Sequence, residues 1–301
     1  MFIIFAIIIL LSYVSYRRVF YSSPDRKNSI WNIPDTEEYS VGKPIILRLI
    51  DEMENIPFEE VRIKSYDGLD LYGRYYHVKD GAPVQIEFHG YKGTAFRDFC
   101  GGSKLAKKFG QNVLLVDQRA HGKSGGTTIC FGIKEKYDCL AWARYASERF
   151  KDAPIVLSGV SMGGATVIEA SELELPENVK CIIADCPFSS AEEIIRSECK
   201  KTGIPDFLGM PIIKLGALVF GRLKLSGGAK KAVLNAKVPI LIFHGEKDSF
   251  VPCDMSRKIK EANPKMVTLE TFAEASHGMS YILEPERYER LTKEFFEKHV
   301  K

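Results

Sequence analysis

Residues 155–164 read Ile155-Val156-Leu157-Ser158-Gly159-Val160-Ser161-Met162-Gly163-Gly164. The run Ile155–Leu157 is short and wholly apolar, as a strand buried on both faces requires, and the residues beyond Gly163 suit a helix. Between them stands Gly159-x-Ser161-x-Gly163. A serine in that position must project from a sharp strand-to-helix turn with strained backbone angles, and the flanking glycines give room that side chains would take away. A lone pentapeptide of this kind is weak evidence, since a glycine-rich turn with an incidental hydroxyl looks the same. The surrounding pattern gives it weight.

Outward from this turn, apolar runs alternate with longer helix-compatible stretches. The runs are Val84–Phe88, Val113–Val116, Ile155–Leu157, Ile182–Ala184, Ile240–Phe243 and Val267–Phe272, and the stretches lie around 98–110, 134–150, 163–174, 253–262 and 284–299. Near-continuous apolar strands with helical crossovers predict a mostly parallel sheet covered on both faces. Upstream, Glu60–Tyr66 and Leu69–His77 flank Asp67-Gly68, a hairpin signal that adds an antiparallel edge and brings the expected sheet to eight strands. Pro44 opens a short helix through Met53. One connection breaks the rhythm: 50 residues, Phe188 to Lys237, separate two strands. Structureless loops of that length are rare. Its apolar residues, among them Ile194, Phe207, Leu208, Ile212, Leu218 and Phe220, predict helices. We read 188–237 as a helical cap, with extra core helices at the sheet edge as the alternative.

A chain of 301 residues with 45% hydrophobic and 27% charged residues can bury a large core, which excludes disordered, collagen-like and disulfide-scaffold classes. The balance of 42 basic and 39 acidic residues leaves a net charge of +3, too little excess to neutralise a phosphate backbone, so nucleic acid is not expected as a partner. Seven cysteines, at 100, 130, 139, 181, 186, 199 and 253, form no CxxC pair and are odd in number, which points to a reducing compartment. The amino terminus stands apart. Phe2–Leu11 is unbroken apolar sequence, extended through Tyr16 to Arg17-Arg18. The stretch is short for a membrane span, which usually takes about 20 residues, but it lacks the preceding positive charge and following cleavage site of a secretory signal. Arg17, Arg18, Arg26 and Lys27 all follow it, a bias that keeps the downstream side in the cytoplasm. The expectation is a retained membrane anchor over 1–21, a tether and short helix over 22–57, and a catalytic domain over 58–301. A removed signal and a buried hydrophobic helix are the alternatives.

Further motifs join the Ser161 turn: His89-Gly90-Tyr91, Asp117-Gln118-Arg119-Ala120-His121-Gly122-Lys123-Ser124, His244-Gly245-Glu246-Lys247-Asp248 before Val251-Pro252, and Ser276-His277-Gly278. In this order they resemble the α/β-hydrolase superfamily over residues 58–299, in the capped serine-hydrolase branch that includes monoacylglycerol-lipase-like and serine-aminopeptidase-like proteins. Ala120 stands where such proteins usually have glycine.

Serine at its own pKa is a poor nucleophile, so a histidine must take its proton while a carboxylate holds that imidazole in the right tautomer. With the order Ser, Asp or Glu, His that this fold uses, the candidates are Ser161, Asp248 and His277. Asp248 follows the strand Ile240–Phe243 and His277 follows Val267–Phe272, and in a parallel sheet such strand ends share one rim. Glu246 and Asp185 are rival acids. His89, His121 and His244 also follow strands, where histidines commonly brace loops. No H-x-x-x-H spacing or cysteine cluster points to a metal, and no cofactor is expected. The cysteines read as core fillers. Met162 N–H, directly after the nucleophile at a helix start, is one candidate oxyanion donor. Tyr91 resembles the family's second donor, with simple pocket lining as its other role. Gly122-Lys123-Ser124 ends like a phosphate loop, but position 117 is Asp where the first glycine should stand. The expected activity is hydrolysis of carboxylic esters through an acyl-enzyme, on acyl or lipid-derived substrates given the apolar insertion and the membrane segment. A peptidase on the same residues, using Glu192, Glu193 or Glu198 to hold a free amine, and a non-catalytic membrane-tethered binding protein are the alternatives.

Overall fold

The structure is a computed structural model, and it describes residues 2–23, 33 and 37–300. The amino-terminal half contains α1 (Phe2–Val19), α2 (Glu37–Ser40), α3 (Lys43–Glu54), β1 (Glu59–Lys64), β2 (Asp70–Tyr76), β3 (Val84–Phe88), α4 (Ala95–Lys108), β4 (Asn112–Asp117) and α5 (Glu135–Arg149). The remainder contains β5 (Ile155–Val160), α6 (Met162–Ala170), β6 (Val179–Asp185), α7 (Ala191–Lys201), α8 (Asp206–Gly221), α9 (Ala229–Ala232), β7 (Ile240–Gly245), α10 (Asp254–Ala262), β8 (Val267–Phe272), α11 (Ser280–Leu283) and α12 (Pro285–His299).

The eight strands form one sheet in the order β1-β2-β4-β3-β5-β6-β7-β8. Pairing is antiparallel from β1 to β2 and from β2 to β4, and parallel from there onward. The expected hairpin is present at the edge. Its turn is built by Ser65, whose Oγ donates to Asp67 Oδ1 at 2.6 Å and accepts from Leu69 N at 2.8 Å, while Gly68 takes φ 86°. Burial follows position in the sheet: every residue of the central β3 and of β7 is buried, whereas edge strand β1 buries Val61 alone.

This topology sets where a site can lie. From β3 the chain crosses to β4 on one side and then to β5 on the other, so the loops leaving β3 and β5 part in opposite directions. A crevice opens at their carboxyl ends, which is where ligands meet open α/β sheets. The Ser161 turn and the His89-Gly90-Tyr91 loop both leave the sheet there.

The 188–237 insertion divides in two. Ile194, Ile195, Cys199 and Met210 of α7 and α8 pack with Met162, Phe188, Val251 and Met255, on the rim side of the sheet. Ala229 and Val233, by contrast, join the main core with Ile240 and Ile259. The insertion thus packs partly on the rim side and partly in the main core.

Among the described residues, α1 is the one helix long and apolar enough to cross a membrane, and only 11% of its span is buried. Its buried residues are Ser12 and Tyr16. These face α8, where Gly216 admits the Ser12 and Tyr16 backbone: an added Cβ would stand 3.2 Å from Ser12 C and 3.3 Å from Tyr16 N. The chain leaving α1 is also packed. Tyr21 bridges Thr128, Ser22 N–H donates to the Thr127 carbonyl at 2.9 Å, and Ile129 N–H donates to the Phe20 carbonyl at 2.7 Å. The sequence boundary between 21 and 22 thus falls inside a paired segment. Most of the expected tether, residues 24–32 and 34–36, lies outside the described residues.

Candidate active site

Ser161 joins β5 to α6 with φ 56° and ψ −115°, a conformation that costs a non-glycine residue about 1–3 kcal/mol and persists only where the surroundings hold it. The surroundings are specific. Ser161 N–H donates to the Asp185 carbonyl of β6 at 2.8 Å, and its carbonyl accepts from Ala165 N at 3.0 Å, which starts α6. Glycine is needed on both sides: a Cβ on Gly159 would stand 2.6 Å from Gly164 N, and one on Gly163 would collide with the Phe88 carbonyl and stand 2.8 Å from that of His89. The elbow is therefore pressed against β3.

His277 Nε2 lies 3.0 Å from Ser161 Oγ, and His277 Nδ1 lies 2.7 Å from Asp248 Oδ2. The structure thus brings together the three residues expected from the sequence. Asp248 is held from both sides: its Oδ1 accepts from Phe250 N at 2.9 Å and Val251 N at 2.8 Å, and its side chain is fully buried. His244 Nε2 donates to the Val251 carbonyl at 2.8 Å and sits 3.3 Å from Asp248 Oδ2, while its Nδ1 is 2.7 Å from Ser256 Oγ. Gly245 explains the His244-Gly245 pair, because a side chain there would run into the Ala275 and Ser276 carbonyls of the loop that carries His277.

Burial favours the neutral form of Asp248, but hydrogen bonds from His244 and His277 and their charge outweigh it, and its carboxyl lies well below the usual range. For His277, burial acts to lower the pKa, yet the Asp248 hydrogen bond and charge, with Asp185 and Asp98 behind it, raise it above the ordinary histidine value. A carboxylate accepting at Nδ1 assigns the proton to that nitrogen and leaves Nε2 as the acceptor facing Ser161.

The rival acids are elsewhere. Glu246 is exposed and pairs with Arg257. Asp185 is buried at the end of β6, where burial pushes its carboxyl up to about 6 against the pull of His244 and His277, and Tyr288 bonds to it. His89 and His121 brace loops: His89 Nε2 accepts from Gln118 N at 3.0 Å, and His121 Nε2 accepts from Lys92 N at 3.0 Å. The insertion carboxylates that could hold an amine already have cations: Glu192 has Arg196 and Lys214, Glu193 has Lys258, and Glu198 has Lys201.

Met162 heads α6, so its N–H belongs to the first turn, which has no intrahelical acceptor. The loop after β3 lies directly across from Ser161, since a Cβ on Gly90 would stand 3.4 Å from Ser161 Cβ. In that loop Gly90 N–H donates to Asp98 Oδ2 at 3.0 Å and Lys92 N–H to His121, with Tyr91 between them.

Sequence reading missed Cys186. Read as a core filler, it places Sγ 3.9 Å from His277 Nε2, with φ 43°. Cys186, Asp248 and His277 present ligand-type atoms within 4.8 Å of one another. Burial holds the Cys186 thiol well above its ordinary pKa, and His277 Nδ1 and Asp248 are already bonded to each other. A metal would need the Cys186 thiolate, which burial disfavours, so this set fits proton transfer better than coordination. All seven cysteines are free and buried.

With this geometry in view, comparison with known proteins is direct. A family profile described as alpha/beta hydrolase fold matches residues 86–210. An esterase of Pyrococcus furiosus, Pf2001, superposes with a TM-score of 0.69 at 21% identity, covering 94% of this chain and all of that one. The chain has the α/β-hydrolase fold. The chain is 24% identical to YqkD of Bacillus subtilis, an uncharacterized protein, over 84% of its own length and 82% of that protein. It is 26% identical to the rat lysophosphatidylserine lipase ABHD12 over 59% of its length, and spans 44% of that lipase.

Proposed function

We propose that this α/β hydrolase cleaves carboxylic esters by acyl transfer, with Ser161 as nucleophile, His277 as base and then acid, and Asp248 as the group that orients His277. The single observation that carries the reading is the unbroken hydrogen-bond chain from Ser161 Oγ through the His277 ring to Asp248, at 3.0 Å and 2.7 Å. As Ser161 Oγ attacks the carbonyl carbon, its proton passes to His277 Nε2, and the imidazolium is stabilised by Asp248. The carbonyl oxygen becomes an anion, received by the backbone N–H groups of Met162 and Tyr91. Collapse expels the alcohol, which takes the proton from His277. Water, deprotonated by the same ring, then releases the acid and frees Ser161.

The substrate class we infer is an acyl or lipid-derived ester, such as a monoacylglycerol or lysophospholipid, met at a membrane. Support comes from the apolar rim-side cap, from the exposed apolar length of α1, and from similarity to a lysophosphatidylserine lipase. On this reading residues 1–21 are a retained anchor, residues 188–237 supply the cap, and exposed Arg17 and Arg18 keep the catalytic domain on the cytoplasmic side.

Full-length protein in detergent, challenged with a fluorophosphonate and with esters graded by acyl length beside peptide anilides, tests it. Labelling should vanish in Ser161→Ala, and turnover should favour longer acyl esters over anilides. A folded wild type that never labels defeats the enzyme reading, and rates that fall steadily with acyl length defeat the lipid preference.

A further inference from the structure

The carboxyl-terminal turn of α1 does more than connect. A helix ends with carbonyls that have no intrahelical donor. Two of these on α1 are capped by consecutive residues of the loop after β3: Tyr91 Oη donates to the Val19 carbonyl at 2.7 Å, and Lys92 Nζ donates to the Arg18 carbonyl at 2.9 Å. Lys92 has φ 50°, so the residue next to Tyr91 is held in the left-handed region. Backbone of that kind relaxes unless contacts over-determine it.

The turn that receives these bonds is itself rigidly seated. Phe20 is fully buried with its ring centre 5.7 Å from that of Phe131, which in turn lies 5.0 Å from Tyr91. Tyr16 Oη is 2.9 Å from Thr128 Oγ1, and the Tyr16–Ser22 stretch is further tied to Thr127–Ile129 and to Gly216 of α8.

We propose that the last turn of α1 is a strut of the acyl-transfer site, and that the Tyr91 side chain is a positioning residue: by fastening to Val19 it aims its own backbone N–H at the oxyanion. The inference rests on the Proposed function, in which that N–H is an oxyanion donor. It makes the membrane helix and the oxyanion loop one mechanical unit. Burial keeps the Tyr91 phenol protonated and so able to donate.

The test uses the full chain in detergent with a soluble short-chain ester and a trifluoromethyl ketone of matching shape. Tyr91→Phe keeps the N–H and removes the latch. Loss of a donor costs 10²–10³ in rate, and a misaimed donor less, so kcat should fall about tenfold with KM within about twofold. Affinity for the ketone, which forms the tetrahedral anion, should weaken by about the same tenfold factor. Gly216→Leu, which pushes α1 away from α8, should lower kcat in the same way, and in that background Tyr91→Phe should cost no more than about twofold, because both act through one strut. Wild-type protein that binds the ketone no more tightly than the ester overturns the acyl-transfer reading beneath the proposal. Tight wild-type binding that Tyr91→Phe leaves unchanged, or fully additive losses in the double variant, overturns the strut alone.

Discussion

Asp248→Asn replaces one oxygen by an amide nitrogen at nearly constant volume, and the structure says what that exchange does. The carboxylate faces donors on every side: Phe250 N–H at 2.9 Å and Val251 N–H at 2.8 Å on Oδ1, His277 Nδ1 at 2.7 Å on Oδ2, and His244 Nε2 at 3.3 Å from Oδ2. Asparagine can satisfy only some of them. Turned so that NH₂ meets Phe250 and Val251, it leaves a part-buried and a buried backbone donor unpaired, at about 1–3 kcal/mol for the buried one. With its oxygen kept on those two N–H groups, it presents NH₂ to His277 Nδ1, while His244 retains the Val251 carbonyl at 2.8 Å. The second arrangement wins by about 1–3 kcal/mol. In it Nδ1 must accept, the ring proton moves to Nε2, and the atom 3.0 Å from Ser161 Oγ can no longer take a proton. A wrong tautomer of this kind costs about 10⁴ in kcat, which is about 5.4 kcal/mol of barrier. Initial rates on a soluble ester across pH, with the thermal midpoint as a folding control, measure it. A folded variant within about tenfold of wild type refutes the assignment, and the buried Asp185 becomes the acid to substitute next.

The pH profile follows from the direction of the His277 shift. Its folded pKa is raised, so kcat/KM should climb with pH through a midpoint above the ordinary 6.5, and an acid limb at or below 6.5 would contradict the Asp248 contact. Stability carries the opposite sign: the contribution from protonated His277 is complete below its unfolded pKa and is lost as pH rises through the folded one, which thermal midpoints across that window report. Gly163→Ala should cost about 3 kcal/mol or more, or about 5 °C or more in thermal midpoint, because the new methyl meets the rigid backbone carbonyls of Phe88 and His89. A variant melting within about a degree of wild type counts against the tight elbow. Cys186 lies beside His277, yet its thiol is buried and kept protonated, so iodoacetamide should leave ester turnover intact and Cys186→Ser should change kcat by less than about threefold. Inactivation by the reagent that disappears in Cys186→Ser would show the thiolate to be populated.

Much of this architecture was legible because strand and turn chemistry are local. The runs Val113–Val116 and Ile240–Phe243 fall within β4 and β7, since strands covered on both faces declare themselves as unbroken apolar residues. Glycine made the elbow and the Asp248 loop readable for a related reason: at Gly159, Gly163 and Gly245 backbone comes so close that no other residue fits, and that constraint appears as a motif. Cys186 was not legible. Its closeness to His277 depends on β6 lying between β5 and β7, and a cysteine at a strand end looks the same whether it faces the core or a histidine from another loop. The insertion was only half legible, because apolar spacing marks α7, α8 and α9 as helices without saying that α9 returns to the sheet.

The amino-terminal segment shows why a composition argument stops where it does. Hydropathy sees Phe2–Val19 as one uniform span, and by that measure Tyr16 and Phe20 are merely aromatic residues near a membrane surface. Packing distinguishes them sharply: Phe2 is 86% exposed, whereas Phe20 is wholly buried and Tyr16 nearly so. What separates the two ends is complementarity with residues about a hundred or two hundred positions away, the Thr128 hydroxyl and the Gly216 backbone, and no window along the chain contains both partners. Half of the helix therefore answers to the solvent it meets and half to the protein it joins. Cutting at residue 21 would remove the Val19 carbonyl and the Phe20 ring along with the apolar span, so loss of turnover in such a fragment would report on the proposed strut as much as on the proposed anchor.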